Sequence, residues 1–185
     1  MQRRSLLRSQ VVAAWKQTIN VRYASCLINS ERGLQAYFCA ALLEQFDNLS
    51  RRIFIEPRLS QAGVKGSRYP DVVICHSEQI IGVVELKYQP RGRPTYEKDL
   101  NTLRWIAENH EQIKVSNDRY FGPPAKARVF SLAPDAVLCW AGVYKGAQEN
   151  VSQFVPTELK ARFLGLHALT SQDGAEIACN FRSSR

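Results

Sequence analysis

In the segment YPDVVICHSEQIIGVVELKYQP, Tyr69 to Pro90, three charges interrupt what otherwise reads as two apolar strands: Asp71 after a proline, then Glu85 and Lys87 two residues apart. Alternate residues of an extended strand share a face, so Glu85 and Lys87 point the same way, on the side of Ile81 and Val83. Asp71 shares its face with Val73 and Cys75, and the register of a hairpin decides whether it meets Glu85. If it does, Val73 faces Val83 and Cys75 faces Ile81, which requires an odd loop such as Ser77, Glu78 and Gln79; an even loop sends the two carboxylates to opposite faces. Converging carboxylates repel, and both stay ionised at low cost only with a cation between them. Hard oxygen ligands with room for water suit Mg²⁺ or Mn²⁺. Lys87 would then lie beside the attacking water and a phosphate, where its ammonium could orient the nucleophile and stabilise charge growing on phosphorus. That is the chemistry of phosphodiester hydrolysis. The plainer reading makes Asp71 a turn residue after Pro70, and Glu85 and Lys87 an ion pair at a strand end.

These residues need elements to position them. Residues 3–19 place Leu7, Val11, Ala14, Trp15, Thr18 and Ile19 at helical spacing, with Arg3, Arg4 and Arg8 as a basic flank. After the link NVRYASCLI, Asn29 and Ser30 offer N-caps to a second helix with the stripe Leu34, Phe38, Leu42 and Phe46, ended by Asp47 and Asn48. Glu31 lies three residues before Leu34 and seven before Phe38, so a carboxylate continues that stripe toward the site; it also fits as a simple complement to the helix dipole. RRIFIEP reads as a strand closed by Pro57, with Glu56 as an edge-strand charge. RLSQAGVKGSRY, with Gly63, Lys65 and Gly66, reads as a mobile loop. A helix is expected within residues 94–113, entered at Pro94 with Leu100, Leu103, Ile106 and Ala107 on one face, then a strand DAVLCWAGVY. A short helix near TELKARF and a hairpin LGLHALTSQDGAEIACNF, turning at Asp173 and Gly174, complete the chain. This order predicts one α/β domain over residues 1–185.

Composition sets the surroundings. With 25 Lys and Arg against 17 Asp and Glu the formal charge is +8, which favours a polyanionic partner or, more simply, solubility. Arg68, Arg91, Arg93 and Lys98 flank the charged segment and are candidates for phosphate contacts, with Tyr88 and Tyr96 available to stack; an ordinary solvated loop is the alternative. The five cysteines are odd in number, show no CxxC spacing and mostly fall in apolar runs, as small reduced core residues would in the cytoplasm. No run approaches a membrane span, and no membrane partner is expected. His76, His110 and His167 share no spacing, and Trp15, Trp105 and Trp140 lie in apolar stripes expected in the core.

The Pro70–Asp71 pair and Glu85-Leu86-Lys87, behind a helix bearing Glu31 and ahead of a helix and a strand, resemble the PD-(D/E)XK nuclease superfamily. The resemblance covers about residues 29–145 in the order αβββαβ, with an extra N-terminal helix and a C-terminal hairpin outside it. It implies a restriction-endonuclease-like fold and a Mg²⁺- or Mn²⁺-dependent endonuclease. Asp71, Glu85 and the main-chain carbonyl of Leu86 would hold the metal, Lys87 would serve the water, and Glu31 would complete the cluster. It further implies nucleic acid as partner, double-stranded DNA first, with a homodimer as one admissible assembly. Family members that cut RNA, or that keep the fold as silent binding or assembly proteins, mark the alternatives.

Overall fold

The structure, a computed structural model, describes residues 2–46, 51–61, 67–109, 113–116, 129–147, 151, 156, 158–171 and 174–180. The expected roles of Asp47, Asn48, Gly63, Lys65, Gly66, His110 and Asp173 lie outside the described residues.

The architecture is mixed α/β: helices α1 (Gln2–Gln17), α2 (Glu31–Glu44) and α3 (Glu97–Glu108) pack on one nine-stranded sheet. Its strands are β1 (Arg51–Ile55), β2 (Leu59–Gln61), β3 (Ser67–Arg68), β4 (Val72–His76), β5 (Gln79–Gln89), β6 (Ile113–Ser116), β7 (Val129–Lys145), β8 (Phe163–Ser171) and β9 (Gly174–Asn180). Strands β1, β4 and β5 are antiparallel in series, and β7 joins parallel to β5 after the α3 crossover. The long β7 is shared along its far edge: its start pairs with antiparallel β6, which leads to β2 and β3, and its end pairs with parallel β8, which leads to β9. The C-terminal hairpin therefore extends the same sheet.

Each face carries its own apolar layer. Alternation sends Val72, Ile74, Val84 and Leu86 toward α1 and α2, where they meet Leu7, Trp15, Leu34, Phe38 and Leu42. Val73, Cys75 and Val83 point the other way, toward Leu100, Leu103 and Ile106 of α3. Fully burying side chains such as Leu34, Phe38 and Leu42 contributes on the order of 1.5–3 kcal/mol each. At the start of α2 the Ser30 hydroxyl caps the Gly33 amide at 3.1 Å, as the sequence predicts, and this places Glu31 in the first turn.

Several boundaries differ from the sequence reading. The first helix continues past residue 19 through a π-helical turn, Thr18–Tyr23, where Thr18 bonds back to the Ala14 carbonyl at 2.8 Å. The region expected as a loop at 58–69 contains β2 and β3, and β6 begins at Ile113, where the third helix was expected to end. These strands are two to four residues long, too short to show a period, so local pattern does not announce them. α3 starts behind Tyr96, and Pro94 lies in the preceding loop. TELKARF contributes a single 3₁₀ turn, Lys160–Arg162. Strand β7 starts upstream of the expected DAVLCWAGVY.

Two irregularities interrupt the centre of the sheet. The β4–β5 hairpin pairs His76 with Gln79 and Cys75 with Ile80, so its loop is the two residues Ser77 and Glu78, with Ser77 at φ 55°. Beyond Cys75 the register shifts, Ile74 pairs with Gly82, and Ile81 is the extra residue of a β-bulge. Ile81 consequently packs with the α1/α2 layer, on the face opposite Val83. On the other side of β5, the register against β7 jumps from Leu132 to Val137 across the same point. The intervening Ala133–Ala136 stretch contains Pro134, a residue suited to bulges because it has no amide to donate. The freed carbonyls of Asp135 and Ala136 accept from Arg4 Nε at 3.0 Å and Arg162 Nε at 3.3 Å. Arg8 donates to the Phe163 carbonyl at 2.9 Å and to that of Ala161. Arg4 and Arg8, from the basic flank of α1, thus hold main chain together.

Gly82 completes the bulge. A Cβ there would sit 3.3 Å from Leu7 Cδ2 and 3.4 Å from Ile74 Cδ1, a crowded position under α1. Gly82→Val should lower stability by about 1–3 kcal/mol in urea denaturation; an unchanged midpoint would show that the bulge is not close-packed.

Candidate active site

One step beyond the Val72–Val84 pair, the corrected register brings Asp71 opposite Glu85. The hairpin loop is even, yet the carboxylates share a face, because the extra residue Ile81 reverses the alternation that the loop would have imposed. On the turn side of the bulge the two-residue loop pairs Cys75 with Ile80, not with the expected Ile81. Asp71 itself stands immediately before β4. Its carbonyl accepts from the Glu56 amide and from Gln35 Nε2 of α2, each at 3.0 Å, and its Oδ2 accepts from the Leu86 amide at 2.5 Å.

The Glu85 carboxyl lies within hydrogen-bonding reach of that of Asp71 and is only 6 % exposed. Burial, then the Asp71 charge beside it, push the Glu85 carboxyl well above the usual carboxylate range. Burial raises Asp71 to about 6, against the opposing pull of the Leu86 amide. None of the ion pairs among the described residues involves either group.

Lys87 follows on the same face, and Glu31 reaches it from the start of α2. Its Oε2 stands 3.6 Å from Lys87 Nζ and accepts from the Tyr88 amide at 3.2 Å. The helical carboxylate thus braces β5 through both a side chain and the main chain. Tyr88 serves packing: its hydroxyl donates to the Ile28 carbonyl at 2.8 Å and its ring meets Tyr23 edge-on.

A fourth carboxylate belongs to the same place. Asp99, in the first turn of α3, is 8 % exposed and accepts from Trp140 Nε1 at 3.3 Å. Burial raises its carboxyl, and the Lys87 ammonium opposes that rise. The spacing 99, 103, 106 puts Asp99 on the stripe of Leu103 and Ile106, the same signal that singles out Glu31 on α2.

Glu31, Tyr69, Asp71, Glu85, Leu86, Lys87, Lys98 and Asp99 line one cleft of about 550 Å³, with residues 94–97 as a further wall. Of the candidate phosphate-binding residues, only Lys98 lines it. Arg91 and Arg93 are exposed on the turn after β5. Arg68 instead lies over the Trp105 ring, 5.5 Å from its centroid. Tyr96 lines the cleft and packs edge-on against Trp140. Glu56, at φ 46°, ends β1 and is exposed. His76 and His167 take no part: His76 ends β4, and the buried His167 bonds the Tyr144 hydroxyl at 2.8 Å through Nδ1. Trp15 and Trp140 are fully buried, whereas Trp105 is half-buried.

Among the described residues no three His, Cys, Asp or Glu side chains make a ready metal-binding group. The donor set nonetheless fits Mg²⁺ or Mn²⁺. Mg²⁺ keeps several waters and is commonly held by one or two carboxylates, and Asp71 and Glu85 are two crowded oxygen donors with no ion-pair partner among the described residues. Leu86 lines the cleft although its side chain is buried under α2. Comparison with protein-family models, with curated proteins and with solved structures finds no match. No described helix is long and apolar enough to cross a membrane.

The raised carboxyl of Asp71 carries a stability consequence. A carboxyl titrating near 6 when folded and 3.8 when unfolded gives stability that is present below pH 3.8 and lost as pH rises through 6. At pH 7 without divalent ions, Asp71→Asn should therefore raise stability by on the order of 1–3 kcal/mol, and the gain should vanish near pH 4. Thermal melts across that range check it; a variant less stable than wild type at pH 7 would contradict the electrostatic account.

Proposed function

We propose that this protein is a divalent-metal-dependent endonuclease of PD-(D/E)XK type, hydrolysing phosphodiester bonds in nucleic acid, with double-stranded DNA as the first-choice substrate. The observation that carries the reading is the convergence of Asp71 and Glu85 on one face, with Lys87 two residues along the same strand and Glu31 bonded to it. The element order α2, β1, β4, β5, α3, β7, antiparallel through β5 and parallel across α3, supports a restriction-endonuclease-like core.

In this reading the Asp71 and Glu85 carboxylates and the Leu86 carbonyl hold Mg²⁺ or Mn²⁺, which would supply Lewis acidity at the scissile phosphate. The Leu86 amide keeps Asp71 aimed across the strand pair, so both carboxylates face the cleft before any ligand arrives. Lys87 orients the attacking water and, as its ammonium faces the phosphorus, offsets the negative charge that grows there. Glu31 limits the swing of that long side chain. Lys98 at the cleft wall, with Arg91 and Arg93 on the adjacent turn, hold flanking phosphates and fix the register of the strand. The free thiols of Cys39, Cys75 and Cys139, all buried, fit a cytoplasmic protein.

Incubation of plasmid DNA with the purified protein tests the reading. Nicking should require Mg²⁺ or Mn²⁺, stop with EDTA, and fall by about 100-fold or more in Glu85→Ala and Lys87→Ala. Equal nicking by wild type and both variants would assign the activity to a contaminant, and cleavage of RNA alone would overturn the choice of polymer.

A further inference from the structure

We propose that the turn after β5 is a fixed phosphate-binding platform in which Lys145 joins Arg91 and Arg93, with Thr170 of β8 as its positioning residue; this rests on the nuclease reading of the cleft. The parallel strands β5, β7 and β8 end side by side, where Gln89 pairs with Tyr144 and Lys145 with Thr170. Across those ends Gln89, Pro90, Arg91 and Gly92 make a β-turn, closed by the Gly92 amide on the Gln89 carbonyl at 2.9 Å. Proline in second place and glycine in fourth suit such a turn.

Three further hydrogen bonds, each from a strand end, fix the turn in place. The Thr170 hydroxyl donates to the Pro90 carbonyl at 2.5 Å, and the Lys145 amide donates to the Gly92 carbonyl at 3.0 Å. Gln89 Oε1 accepts from the Thr95 amide at 3.1 Å, which ties the far end of the segment back to β5. Thr170 is only 7 % exposed, so its hydroxyl serves the turn and not the solvent. An ordinary surface turn leaves most such groups to water; here strands β5, β7 and β8 each hold one point, and Pro90 and Pro94 restrict the backbone further. On this frame Arg91, Arg93 and Lys145 are exposed, and none of the ion pairs among the described residues involves them. Arg4 and Arg8 bond main-chain carbonyls and Arg104 pairs with Glu158, so those basic residues are already used. Cations on immobilised main chain lose less freedom when they meet an anion. The segment also continues directly into residues 94–97 of the cleft wall, so a nucleic-acid backbone leaving the cleft runs over the platform. The C-terminal hairpin, outside the nuclease-like core, thereby gains a role through Thr170.

Binding of a fluorescently labelled DNA duplex in EDTA, followed by anisotropy, tests the platform without turnover. Thr170→Val should weaken binding about tenfold, and Thr170→Ser should keep it within about twofold of wild type. Replacing Arg91, Arg93 and Lys145 together by Ala should reduce the slope of log affinity against log salt concentration by about 2–3, since each phosphate contact carries about 0.9. In that background Thr170→Val should have no further effect. With Mg²⁺ present, Thr170→Val should raise KM about tenfold and leave kcat within about twofold. Should Thr170→Val melt earlier than wild type, Gln89→Ala, which releases the Thr95 amide at the other end of the segment, carries the same comparison. Unchanged affinity in the anchor variants, an equal further loss in the triple-Ala background, or no binding of the duplex by wild type would overturn the platform. Binding that follows this pattern without any cutting in Mg²⁺ would sink the nuclease reading and leave the platform standing.

Discussion

A single extra residue, Ile81, sets the relation between the two halves of the site. Strand alternation is strictly two-fold, so a two-residue hairpin loop would send Asp71 and Glu85 to opposite faces of the sheet. The bulge opposite Ile74 restores coincidence, and the Leu86 amide bonded to Asp71 at 2.5 Å secures it. The rest of the centre of the molecule is arranged around that irregularity. Gly82 leaves room for Leu7 of α1, the β7 register jumps at the same level, and arginines of α1 and of the 3₁₀ turn bind the carbonyls so released. Bulges strengthen local twist and re-aim side chains, which is why they recur beside active sites.

The cost of this arrangement is electrostatic. Asp71, Glu85 and Asp99 are all raised by burial, and the groups that oppose the rise are few: the Leu86 amide, the Trp140 indole, Lys87 and Lys98. Stability alone would favour replacing such a cluster with apolar side chains. The surroundings instead hold Asp71 and Asp99 in place: the Leu86 amide bonds the Asp71 carboxylate, Gln35 bonds the Asp71 main-chain carbonyl, and Trp140 bonds the Asp99 carboxylate. Crowded, oriented and under-compensated oxygens amount to a standing demand for a cation, and that demand links the geometry to the proposed chemistry.

Much of the frame was legible in the sequence because it follows local rules. Ser30 caps α2, Leu34, Phe38 and Leu42 face the sheet, and Asp71, Glu85 and Lys87 alternate as strands require. What was not legible depended on long-range pairing. Ile81 continues the apolar alternation of its strand, so nothing marks it as an inserted residue. β2, β3 and β6 are too short to show a period; β3 is joined only to its neighbour β2, which is held in the sheet by the distant β6. The basic residues divide for the same reason: Arg4 and Arg8 look like Arg91 and Arg93 in composition, but only the fold reveals that the first two bond carbonyls. Asp99 is a different case, since its helical spacing carried the same signal as that of Glu31.

The proposed chemistry stands or falls on Asp71 and Glu85 acting together as one cation-binding site. Titration of the purified protein with Mn²⁺ at pH 7, followed by the loss of the free-ion paramagnetic resonance signal, tests this without any need for turnover. Binding should be saturable, abolished in both Asp71→Asn and Glu85→Gln, and displaced by Mg²⁺. Binding of equal strength in wild type and both variants would contradict a shared site.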